Sequence, residues 1–262
     1  MREPIRLYLR EYGAAQPGAD AVVLLHGLFG SSGNWHGIAR ILGQRHRVLV
    51  PDLRGHGRSP AGDGISYPAI AADLVRLLDD QAIARARVIG HSMGGKAAMW
   101  LALTAPQRVA TLTVVDIAPV TYPDRHSDLV AALGTIPLAT LRDRREADDR
   151  LAPVVPEPPV RGYLLQNLEH SPDGWRWRFA LGAIAAATEA IRGFPDPAGA
   201  QFPGPTLFVY GTASDYLAGT HLGAVRALFP LARLRPVAGA GHWVHADQPA
   251  GFLTAIASAL AS

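Results

Sequence analysis

The residues best suited to chemistry lie in VIGHSMGGKAAM, residues 88 to 99, where one serine stands in a nest of glycines. Gly90-His91-Ser92-Met93-Gly94 fits G-x-S-x-G, a strained turn from strand to helix that lifts the serine hydroxyl to its tip. Side chains at the two glycines would clash with the flanking strand and helix. The serine stands at a helix N-terminus, where developing negative charge is favoured. The chemistry such a hydroxyl can do is acyl transfer, and it needs a base, a group orienting the base and paired N–H donors. A pentapeptide alone is weak, so partners must be found elsewhere in the chain.

His242 is the candidate base. It lies in AGAGHWVHADQP, after the last predicted strand, and Gly239, Ala240 and Gly241 let that loop approach closely. His245, three residues on, is read as structural, and no further ligand cluster turns the pair into a metal site. Two aspartates compete to orient His242. Asp116 ends the apolar run TVVDIAP, so its carboxylate starts half buried and needs a charged or hydrogen-bonded partner. Asp215 follows a later strand in GTASDYL. Asp116 is favoured and Asp215 is the alternative. The oxyanion donors are the backbone N–H groups of Met93, just after the serine, and Leu28 in LLHGLFGSSGNW, with Phe29 next. Phe29, His91, Trp175 and Trp243 are candidate pocket side chains. In PDLRGHGRS, Asp52, Arg54 and His56 are read as holding loops by hydrogen bonds. Lys96 is expected to pair with a carboxylate or reach solvent.

The elements that must position these groups alternate. Strands are predicted at Ile5–Tyr12, Ala21–Leu25, Val48–Val50, Arg87–Ile89, Val109–Val115, Thr206–Tyr210 and 232–237. Helices are predicted at 35–43, Tyr67–Leu78, Ala97–Leu103, 219–229 and 250–261. This order implies a mostly parallel sheet with helices on both faces. Residues 120 to 201 break the rhythm. They carry helical patterns at 127–134, 138–150, 159–169 and 178–192 and no convincing buried strand. We read 1–119 and 202–262 as an α/β core and 120–201 as an inserted helical cap over the strand ends. Leu129, Leu133, Leu138, Leu141, Val160, Leu164 and Leu168 are spaced for its apolar helix faces. WRWRF, 175 to 179, reads either as an arginine-rimmed pocket wall or as cap packing with arginine outside.

The bulk numbers set limits. A chain of 262 residues, 48% hydrophobic and 18% charged, fits one large globular domain. Net charge is +3 with no basic stripe, which argues against nucleic acid. Arg142, Arg144 and Arg145 alternate with Asp143 and Glu146, as on a solvated helix face. The absence of cysteine excludes disulfides, thiolate metal sites and a cysteine nucleophile. No apolar run reaches membrane-spanning length, and MREPIRLYLREYG lacks the apolar core of a signal peptide. A cytoplasmic monomer or homodimer is the expectation.

HGLFGS, DLRGHGRS, GHSMGG and GAGHW, in this order, resemble the α/β-hydrolase superfamily over nearly the whole chain outside 120–201. GHSMGGKAAM, VVDIAP and GAGHWVHAD together resemble the YbfF-type esterases and their mitochondrial α/β-hydrolase-domain relatives. Many α/β-hydrolases carry the acid three residues after the glycine that ends the later strand. Here Ser214 fills that slot and Asp215 sits one further on. The YbfF type draws its acid from the strand end that Asp116 occupies. The resemblance implies a small esterase with a helical cap, acting without a cofactor on a small-molecule ester or thioester. The alternatives on the same scaffold are C–C bond hydrolysis, lactone opening, perhydrolysis or ligand reception with little turnover.

Overall fold

In the computed structural model, which describes residues 3–14 and 20–260, every side chain of Ala21–Leu25 is buried. A strand buried on both faces requires a layer on each side. Val23, Leu25, Val88 and Leu112 join one apolar cluster, while Val22, Leu24 and Ile89 join another with Trp35, Ile38 and Phe252.

In chain order the elements begin with β1 (Leu9–Tyr12), β2 (Ala21–Leu25), α1 (His36–Leu42), β3 (Val48–Pro51), α2 (Tyr67–Asp80), β4 (Ala86–His91), α3 (Met93–Thr104) and β5 (Val109–Val115). A long excursion follows, holding α4 (Ser127–Gly134), α5 (Arg144–Leu151), α6 (Pro158–Leu165), β6 (Leu168–Ser171), β7 (Gly174–Trp177), α7 (Leu181–Ala186) and α8 (Thr188–Arg192). The chain then completes the core with β8 (Thr206–Gly211), α9 (Leu222–Leu228), β9 (Ala232–Val237), α10 (Val244–Asp247) and α11 (Pro249–Leu260).

The seven-stranded sheet runs β1-β3-β2-β4-β5-β8-β9. Only β1 is antiparallel to its neighbour; the other pairs are parallel. The chain leaves β2 toward β3 and returns to β4 on the other side. Open α/β sheets bind ligands at such a switch point, beyond the carboxyl ends of the strands. Register brings the site to that edge. Leu25 lies opposite Gly90 and His91 opposite Val115, so Ser92 and Asp116 follow side by side.

The structure departs from the expected elements in ways that have physical causes. β1 starts at Leu9 rather than Ile5, because the Ile5 N–H donates to Asp73 (2.7 Å) and the Tyr8 N–H to Ser59 (2.8 Å). α5 starts at Arg144, where the Asp143 side chain accepts from the Glu146 N–H (2.8 Å) and caps the helix. Residues 168–177 form an antiparallel hairpin, so the excursion is not wholly helical. The last predicted helical residue, Ala261, lies outside the described residues.

Candidate active site

Ser92 sits between β4 and α3 with φ 52° and ψ −119°, a backbone region that side chains populate only when the surroundings enforce it. The glycines make the turn possible. A Cβ on Gly90 would lie 2.2 Å from the Gly94 carbonyl oxygen, and one on Gly94 would lie 2.5 Å from that of His26. The Ser92 N–H is held by the Val115 carbonyl at 3.0 Å.

Asp116 is fully buried at the end of β5, also with positive φ (53°). Its Oδ1 accepts from the Gly211 N–H at 3.1 Å. Its Oδ2 accepts from His242 Nδ1 at 2.8 Å and from the Ser214 hydroxyl. That bond keeps the His242 proton on Nδ1, so in the neutral ring Nε2 is the acceptor. The imidazole is clamped further. Tyr216 stacks on it at 3.8 Å between ring centres, and His91 Nε2 donates to the His242 carbonyl at 2.9 Å. Burial holds the His91 pKa well below the usual histidine range, so its ring is a neutral donor. Asp215 is elsewhere. It is exposed and pairs with both terminal nitrogens of Arg125 at 3.1 and 2.7 Å, which keeps its pKa below the ordinary carboxylate value. Of the two aspartates, it is Asp116 that contacts His242.

The loop after β2 forms the opposite wall. Phe29 has φ 58°. Two side chains of the 120–201 segment hold this loop from above. Tyr163 donates to the Leu28 carbonyl at 2.9 Å, and Asn167 donates to the Phe29 carbonyl at 2.6 Å. From below, His26 Nδ1 donates to the Gly27 carbonyl at 2.8 Å while its Nε2 accepts from the Leu53 N–H at 2.9 Å. Asp52 accepts from the N–H groups of Ser32 (2.6 Å) and Arg58 (2.9 Å), Arg54 pairs with Asp73, and His56 donates to the Arg54 carbonyl. These are the loop-holding contacts expected of the 51–59 stretch.

Ser92 and His242 line one cavity of about 250 Å³, with Phe29, His91 and Trp243 also in its wall. Leu129, Val160 and Leu164 close it from the excursion. Trp175 is not in that wall; it packs edge-on against His170 in the hairpin. Arg176 in the hairpin and Arg178 just after it point to Glu169, and Trp177 stacks on Phe179. None of WRWRF lines the Ser92 cavity; Arg176, Trp177 and Arg178 instead border a separate polar cleft with Arg58 and Glu169. Lys96 requires a correction. It is buried, and its ammonium donates to the carbonyls of Val120, Arg192 and Gly193 at 2.8, 2.7 and 2.7 Å. It meets neither a carboxylate nor solvent, because the chain enters and leaves the excursion directly above α3. His245 stacks on Trp35 at 4.0 Å on the far side of His91.

Sequence reading misses Arg125, His126, Tyr163 and Tyr216, all of which reach this cavity. Tyr216 adjoins Asp215 in the chain, and that adjacency is its only signal. Tyr163 and His126 lie in a segment without sheet periodicity, where no pattern marks an inward side chain.

A mostly parallel sheet with this switch point and a serine elbow sharing a cavity with a histidine paired to a buried aspartate defines the α/β-hydrolase class. The family profile described as alpha/beta hydrolase fold matches residues 20–249, and the chain belongs to that family. It is 41% identical to sn-1-specific diacylglycerol lipase ABHD11 of Mus musculus over 92% of this chain and 81% of that one. It is 40% identical to Esterase YbfF of Escherichia coli over 92% and 93%. A solved structure described as a marine microorganism esterase superposes with TM-score 0.91 at 34% identity, covering 97% and 99% of the two chains. These relatives support a hydrolase of the esterase and lipase kind. Among the described residues no helix is long and apolar enough to cross a membrane.

Proposed function

We propose that the protein hydrolyses carboxylic esters through an acyl-enzyme on Ser92. The observation that carries this reading is the buried Asp116 carboxylate on Nδ1 of His242, whose ring lines the same cavity as the strained Ser92. Ser92 Oγ attacks the ester carbonyl while His242 Nε2 takes its proton. The Leu28 and Met93 N–H groups receive the oxyanion. As the tetrahedral intermediate collapses, the C–O bond to the alcohol breaks and His242 returns the proton to the leaving oxygen. Water then attacks the acyl-enzyme by the same route, releasing the acid and restoring Ser92. Asp116 stabilises the imidazolium formed at each attack. In this reading residues 1–119 and 202–262 are the catalytic core, and 120–201 are the cap that shapes the cavity.

The test is hydrolysis of p-nitrophenyl esters by wild type and Ser92→Ala. The variant should lose roughly 10⁴-fold or more in kcat. Wild type should also be labelled on Ser92 by a fluorophosphonate. Labelling without turnover of any ester would instead favour a ligand receptor. Neither labelling nor turnover would remove the nucleophile assignment.

A further inference from the structure

Ser92 stands between two chambers of different size. The larger, about 250 Å³, includes His242 and the apolar side chains Leu129, Val160, Leu164 and Trp243. The smaller, about 30 Å³, lies toward Met93 and is lined by Tyr67, Lys96, Ile117, Tyr122 and Ile191. Leu28, Ser92, Arg125, His126 and Tyr216 border both; His242 borders only the larger.

The chemistry assigns the chambers. The group that protonates the leaving oxygen must reach it, so the alcohol departs on the side of His242. The acyl chain extends from the same carbonyl carbon on the other side, toward Met93. Three polar side chains around the small chamber are already engaged. The Lys96 ammonium donates to three carbonyls, the Tyr67 hydroxyl to the Ile191 carbonyl and the Tyr122 hydroxyl to that of Tyr216. Arg125, Arg192 and the half-buried His126, whose Nδ1 has no hydrogen-bond partner among the described residues, complete the polar part of the wall, and Leu28, Met93, Ile117 and Ile191 supply hydrocarbon contact. About 10–15 Å³ accommodates one water-sized group, so this chamber holds about two. That is the length of an acetyl or propionyl tail.

Resting on the esterase reading of Ser92 and His242, we propose that this site selects short acyl groups and takes a bulky apolar alcohol in the larger chamber. Its substrates are short-chain esters of large hydrophobic alcohols.

Two ester series on the wild-type protein test it. With 1-naphthol fixed as the alcohol, kcat/KM should fall by about tenfold or more from butyrate to octanoate, since a full pocket rejects added methylenes. With acetate fixed as the acid, naphthyl and menthyl esters should be at least as good as ethyl acetate. A flat acyl profile, or one rising toward octanoate, overturns the assignment while leaving the hydrolase reading intact. No turnover of any ester overturns both. Ile191→Ala widens the small chamber and should move the acyl optimum to longer chains, with near-UV circular dichroism confirming the fold. An unchanged optimum in a folded variant shows that the acyl chain lies elsewhere.

Discussion

The Ser214 hydroxyl donates to Asp116 Oδ2, the same oxygen that accepts from His242 Nδ1. The two residues come from the ends of β5 and β8, which are neighbours in the sheet. A serine therefore stands where many relatives of this fold carry the acid, and it supports a carboxylate supplied by the adjacent strand. If the proposed triad operates, Asp116→Asn should lower kcat by about 10⁴-fold, the size this replacement has in a Ser-His-Asp hydrolase. Asp215→Asn, on the surface, should stay within about twofold. Adding Ser214→Asp to Asp116→Asn returns a carboxylate to the same side of the imidazole and should recover part of the lost rate. Steady-state kinetics of the four proteins check this. A collapse confined to Asp215→Asn would reverse the assignment.

Tyr163 and Asn167 tie the excursion to the carbonyls of Leu28 and Phe29. Each bond fixes a peptide plane in the loop proposed to supply an oxyanion donor. A neutral hydrogen bond contributes about 0.5–1.5 kcal/mol, so Tyr163→Phe or Asn167→Ala should each cost about two- to twelvefold in kcat/KM. The loss should fall mainly on kcat, because the oxyanion forms only at the transition state. A change in KM alone, measured on one ester, would mean that these residues merely line the cavity.

Burial pulls the Lys96 pKa down from 10.5 to about 7. Below that pH the lysine is charged in both folded and unfolded chains and its burial cost is full. Between about 7 and 10.5 only the folded chain releases the proton, so stability rises with pH over that window. Lys96→Met lacks this term. Thermal unfolding at about pH 6 and about pH 9 should show wild type gaining on the variant at the higher pH. A constant gap would mean that Lys96 stays protonated on its three carbonyls throughout.

His245 gives a dependence of the same sign at lower pH. Burial lowers its pKa from 6.5 to about 3, and His242 adds repulsion. Above 6.5 the ring is neutral in both states. As pH falls from 6.5 toward 3 the unfolded chain takes up a proton that the folded chain refuses, so stability is lost. His245→Phe keeps an aromatic ring against Trp35 and removes the titration. Its acid-unfolding midpoint should lie at lower pH than that of wild type, followed by tryptophan fluorescence. An unchanged midpoint would place the acid-sensitive groups elsewhere, with buried His56 the next candidate.

Local chemistry makes much of this protein legible in the order of its residues. The apolar run at Ala21–Leu25 reads as a buried strand because its neighbours on both faces are implied by its own composition. The elbow reads as an elbow because only glycine fits where Gly90 and Gly94 nearly touch backbone. Such features depend on residues a few positions apart. The hairpin at 168–177 escapes a sequence reading because its strands are short and half exposed, with no run of buried side chains to mark them.

Tertiary structure decided what depends on strand order. Asp116 and His242 are 126 residues apart, and their contact exists because β5 and the loop after β9 end at one edge of the sheet. The same edge leaves Asp215 outside, paired with Arg125, although the two aspartates look alike as residues following strands. Lys96 reads as a surface charge from its neighbours and becomes a buried clasp because the excursion leaves and returns above α3. Spacing along the chain carries the strand, the turn and the serine at its tip. Which side chain meets another across the sheet follows from the register and order of strands distant in sequence, and that sets which carboxylate meets His242, the clamp on its imidazole and the sizes of the two chambers.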